Sequence, residues 1–110
     1  NELDWKRCLS YFNNQCAICG QREGFWVHIV PDHWIAISDK RPDNPGTVAL
    51  NIVPLCHTKP GAPSGQSCCN NNKHNSYPVK WLTREFGVKK ASELLHKIEA
   101  YFDYIKGLAS

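Results

Sequence analysis

Phe25-Trp26-Val27-His28-Ile29-Val30-Pro31-Asp32-His33 is the stretch on which the fold turns. Phe25 to Val30 is aromatic and β-branched but for His28, which is the composition of a strand. Pro31 fixes φ and carries no N–H, so the ladder is expected to stop before the acid. Asp32 and His33 then stand at a strand end, where side chains can leave the sheet and face a cleft. An acid beside a histidine at such a corner can hold a metal next to a proton acceptor. His28 has the strand parity of Asp32 but reads as an ordinary hydrogen-bonded strand histidine.

Working outward, residues 47–55 read as a second strand, with Asn51 inside it. The turn-rich loop 39–46 joins the two strands into a hairpin. That loop carries Lys40 and Arg41, candidates for phosphate contact. Upstream, Leu3, Trp5, Cys8, Leu9 and Phe12 fall near a helical period over residues 3–13. Downstream, the Pro, Gly and Ser of residues 57–67 argue against regular structure. A helical stretch is expected to open at Cys69, where Asn70 and His74, four apart, would share a face. Asn75 or Ser76 can cap a further helix with Pro78 in its first turn, stopping at Gly87. Residues 88–106 carry the strongest helical repeat, from Ala91 through Leu94, Ile98 and Tyr101 to Ile105.

The chain has 110 residues, 13 Lys and Arg against 10 acids, and six cysteines. That length suits one domain with a modest core, of the size that often adds a metal or disulfides. A net charge of +3 is weak evidence for nucleic acid by itself. No apolar run approaches the ~18 residues that cross a bilayer. A start at Asn1 without Met reads as a piece of a longer protein or a processed form, so an upstream domain could be missing. Cys16-Ala17-Ile18-Cys19-Gly20 has the spacing of a zinc knuckle. Two residues between thiolates let one turn aim both sulfurs at one ion. Without a signal peptide, and with Cys68 and Cys69 adjacent, a reducing, cytoplasmic setting and zinc fit better than three disulfides. Cys56 and one of Cys68 or Cys69 complete a tetrahedral set with Cys16 and Cys19. His57 is a substitute that would crowd Cys56. Cys8, on an apolar helix face, reads as a small buried hydrophobe.

The chemistry these residues suit is phosphodiester hydrolysis. It needs a base for water and a cation at the developing charge. His33 is a base poised near neutral pH, with an ordinary pKa of ~6.5. Asp32 and the side-chain oxygen of Asn70 offer oxygen ligands, and His74 adds a nitrogen, a set that suits Mg²⁺ or Mn²⁺. Asn51, on the neighbouring strand, is placed to hold the second ring nitrogen of His33. Lys73 lies beside the site and could neutralise phosphate.

Taken together, Cys16-x-x-Cys19, Asp32-His33, Asn51-Ile52-Val53-Pro54-Leu55-Cys56 and Cys69-Asn70-x-x-Lys73 resemble the HNH endonucleases of the type with a four-cysteine zinc site. The resemblance runs from about Cys16 to His74. It implies an α+β fold: a small zinc-stapled ββα-metal (His-Me finger) core over about residues 16–76, helices at both ends, and C-terminal helices at about 77–107. It implies His33 as general base and Asp32 as first metal ligand. Asn51 becomes the middle residue of the three-letter motif, Asn70 the last, and His74 an additional ligand. It also selects Cys69 over Cys68 as the fourth thiolate. The departures are Asn rather than His at position 70 and twelve residues between Cys56 and Cys69, where many members have two. The expected function is a metal-dependent endonuclease on double-stranded DNA, of restriction or defence, phage or homing type, with structural Zn²⁺ and catalytic Mg²⁺ or Mn²⁺. A homodimer or two successive nicks would be needed to cut both strands. The alternative is a non-catalytic zinc module that binds nucleic acid or protein.

Overall fold

The computed structural model describes residues 1–36 and 48–108. The loop residues Lys40 and Arg41 lie outside them. Helix α1, Glu2–Tyr11, opens on a reciprocal cap. The Asn1 side chain accepts from the Asp4 N–H at 2.9 Å, and the Asp4 carboxylate returns to the Asn1 amino group at 3.4 Å. Asn13 and Asn14, both at positive φ, end the helix, which buries Cys8 against the sheet with Phe12 just beyond it.

Strands β1, Val27–His33, and β2, Ile52–Thr58, pair antiparallel, with Val27 opposite Thr58 and His33 opposite Ile52. The ladder does not stop at Pro31, contrary to expectation, because Pro31 lies opposite Pro54. The Pro54 carbonyl points outward, accepting from the Ala17 N–H at 2.8 Å. The backbone groups of this pair therefore face away from the partner strand, and neither missing N–H removes a ladder bond. The second strand also starts later than expected. Residues Ala49–Asn51 form a 3₁₀ turn, and the Asn51 carbonyl accepts from the Trp34 N–H at 2.8 Å.

Helix α2, Cys69–Lys73, packs on β2. Helix α3, Pro78–Leu108, is broken at Gly87, where φ 82° and ψ 165° are open to glycine alone. The expected stop at Gly87 is thus a break between two helical pieces. Trp81, Leu82, Ala91, Leu94, Ile98, Tyr101 and Ile105 line the buried side of α3. Trp81 meets Trp34 edge-on at 6.5 Å and donates its indole N–H to Asn72 Oδ1 at 2.6 Å. Tyr101 packs on Tyr11 and Phe12, both at 5.0 Å, tying α3 to α1. The result is a small α+β fold with a two-stranded antiparallel sheet and helices, consistent with a ββα arrangement. Among the described residues no helix is long and apolar enough to cross a membrane.

Candidate functional site

Two features stand on either side of β2, and its alternation explains both. Cys56 points to one face, where the turn after α1 delivers Cys16 and Cys19 and the first residue of α2 delivers Cys69. The four sulfurs lie within 4.8 Å of one another. Cys19 and Cys56 are 3.4 Å apart, and the Cys69 N–H donates to Cys56 Sγ at 3.1 Å. A tetrahedral zinc with Zn–S of ~2.3 Å sets sulfurs ~3.8 Å apart, so this group could hold a metal such as zinc. Gly20, at φ 79°, turns the chain between the thiol pair and Gln21. The Gln21 amide donates to Cys56 Sγ at 3.4 Å and to the Ser67 carbonyl at 3.2 Å, which orients the sulfur from outside the group.

The protons on these thiols are unequally held. Cys19, the exposed member, is pulled below the ordinary thiol value because Cys16 first, then Cys56 and Cys69, donate to it. Cys16 and Cys69 are pushed up, chiefly by sharing hydrogen bonds with the other sulfurs. Cys68 lies just before α2, buried and outside the group of four. Cys8 is also separate, its Sγ 3.7 Å from the Ile52 carbonyl, and burial pushes its thiol up to about 11.

On the other face, Asp32 looks toward α2. It is 6% exposed. The Asn70 amide donates to Asp32 Oδ1 at 2.9 Å, and Lys73 Nζ lies 3.1 Å from Asp32 Oδ2. That ammonium is off the hydrogen-bonding direction of Oδ2, so the contact is an ion pair. Burial pushes the Asp32 carboxyl up, and the Lys73 charge opposes the rise. Lys73, expected at a phosphate, is instead fully buried. Its Nζ donates to the His33 carbonyl at 3.1 Å and sits 5.6 Å over the Trp34 ring. Its charge acts inside the protein, on Asp32.

A cleft of about 400 Å³ brings Asp32, His33, His57, Asn70 and His74 together. His33 has the opposite strand parity to Asp32 and also borders a second cleft of about 490 Å³ against α1. His74 does not continue α2. It sits past the helix end at φ 50°, yet it lines the cleft with Asn70. Asn51 is 1% exposed. Its side chain accepts from the Ile35 N–H at 2.8 Å and donates to the Ile35 carbonyl at 2.9 Å. It thereby braces the chain just beyond His33. His57, by sequence a substitute zinc ligand beside Cys56, instead lines this cleft. Its Nδ1 meets Asn70 Oδ1 at 2.8 Å. The signal for it was strand alternation: His57 is four residues from Val53, the partner of Asp32, and so shares its face.

Among the described residues the four sulfurs are the group of three or more Cys, His, Asp or Glu donors that closes on one point. The Asp32 cleft offers one carboxylate. A Mg²⁺ ion commonly takes one or two carboxylates and completes its shell with water and substrate phosphate, and the cleft fits that mode.

No family model and no solved structure matches this chain. The chain is similar to a protein of Bacillus subtilis (strain 168) named "SPbeta prophage-derived putative HNH endonuclease YoqL", at 26% identity over 115 residues. The similarity covers 96% of this chain and 42% of that relative. The chain thus spans less than half the length of the relative it matches.

Proposed function

We propose that this chain is an HNH-type nuclease domain that hydrolyses DNA phosphodiester bonds with the aid of a divalent cation. The observation that carries the reading is one cleft bordered by Asp32 and His33 of β1 and by Asn70 of α2, the helix whose first residue, Cys69, joins the cysteine group with Cys56 of the paired strand β2. The order of these residues along the chain and the named relative support it. In this reading Zn²⁺ in the cysteine group is structural, clamping α2 to β2 and to the turn after α1. Asp32, Asn70 and His74 hold the catalytic Mg²⁺ or Mn²⁺, which supplies charge at the phosphoryl oxygens. His33 takes the proton of the attacking water. Asn51 sets the position of His33 through the backbone that follows it. Lys73 opposes the protonation of Asp32 that burial favours, and Lys40 and Arg41 contact phosphate. The substrate is double-stranded DNA, in a phage, defence or homing setting inside the cell. One such site cuts one strand, so a full break takes a dimer or two nicks.

A second reading, a zinc module without catalysis, is favoured by one observation: both Asp32 oxygens already have protein partners, Asn70 and Lys73. Incubating supercoiled plasmid with and without added Mg²⁺ or Mn²⁺ separates the two. The nuclease reading expects nicked circles only with the cation. Intact plasmid under both conditions favours the module.

A further inference from the structure

We propose that His57 is the positioning residue of the Asp32 cleft, and that its imidazole decides which end of the Asn70 amide Asp32 meets. The inference rests on the nuclease reading for its cation. Three side chains form a line. Asp32 Oδ1 accepts from Asn70 Nδ2 at 2.9 Å, and Asn70 Oδ1 meets His57 Nδ1 at 2.8 Å. An amide oxygen is only an acceptor, so Nδ1 of His57 carries a proton in this arrangement. A carboxylate is also only an acceptor, so the amide end that faces Asp32 is the NH₂. The three groups satisfy one another in one sense only.

A cation on Asp32 reverses the demand. It repels the NH₂ end and favours the amide oxygen as a neighbour. The Asn70 amide can turn only if its other partner turns with it. His57 can do this without any change of charge. As the Nε2–H tautomer its Nδ1 is an acceptor for the Asn70 NH₂. An apolar or donor-only residue at position 57 has no such freedom. His57 lines the same cleft as Asp32, Asn70 and His74, and β2 fixes it from the strand that also bears Cys56. Partners of this kind behind a metal ligand typically govern affinity by ~10–100-fold.

The test uses the whole zinc-loaded chain. Long-range ¹H–¹⁵N correlation spectra of the imidazoles report the tautomer of His57, with and without saturating Mg²⁺. The expected result is the Nδ1–H form without Mg²⁺ and the Nε2–H form with it. Mg²⁺ affinity by calorimetry supplies the second measurement. His57→Leu is expected to lose at least about tenfold. His57→Asn, whose amide can present either end at the Nδ1 position, is expected to restore most of the loss. The proposal is overturned if Mg²⁺ binds and the tautomer stays the same, or if His57→Leu binds Mg²⁺ as the unsubstituted chain does. An unsubstituted chain that takes up no Mg²⁺ overturns both this proposal and the catalytic cation of the nuclease reading. A failure of His57 alone leaves that reading standing.

Discussion

Lys73 Nζ stands 3.1 Å from Asp32 Oδ2 with the lysine side chain wholly out of solvent. The pair joins α2 to β1 inside the protein, and neither charge is cheap to strand alone. Asp32→Asn leaves a buried ammonium and Lys73→Met a buried carboxylate, and breaking such a pair from one side costs about 3–5 kcal/mol. The double variant should be more stable than the sum of the single losses allows. Urea unfolding of the three variants measures this. Additive losses would mean that the two charges do not hold each other.

The cysteine group should govern folding rather than tune it. A domain this small buries little, and structural zinc contributes folding free energy outright. Cys19→Ser is therefore expected to lose both zinc and the helical far-UV circular dichroism of the folded chain. A native spectrum from a zinc-free variant would count against a structural metal there.

Cys8 gives a pH dependence with a definite sign. Burial holds its thiol at about 11, while the Tyr101 side chain pulls slightly the other way. Out of the fold the thiol loses its proton near 9.0. Above that pH the folded state binds the extra proton, so stability is complete below about 9 and falls as pH rises toward the folded value. The loss between pH 8 and pH 10 should be about 1 kcal/mol larger for the unsubstituted chain than for Cys8→Ala, by urea unfolding. Equal slopes would show that the thiol is not buried as described.

Gly87 breaks α3 at φ 82° and ψ 165°, a conformation essentially closed to other residues, although no atom lies within 4 Å of a Cβ built there. The cost of Gly87→Ala is then backbone strain alone, about 1–3 kcal/mol by thermal or urea unfolding. A neutral substitution would mean that the helices join without this break.

The hairpin and helices were legible because apolar residues recur at the right periods, and Gly87 punctuates them. The strand ends were not. Pro31 read as a stop, but its cost depends on which way its backbone faces, and that is set by Pro54 across the ladder. Asn51 read as a strand residue, while its side chain satisfies Ile35 in a partner choice that spacing cannot reveal. The four thiols that gather are the ones that spacing and resemblance selected, since metal ligands must be both near and reducible to one point. The partners of Lys73 and His57 were not legible, for one reason. Burial and hydrogen-bond partners are tertiary facts, and a lysine three residues after Asn70 looks the same in sequence whether it faces phosphate or the core.

The nuclease reading turns on His33. Zinc-loaded His33→Ala should keep the circular dichroism and the DNA affinity of the unsubstituted chain, yet nick supercoiled plasmid with Mg²⁺ at least about a hundredfold more slowly, the span of a lost general base. Undiminished nicking by that variant would contradict the account.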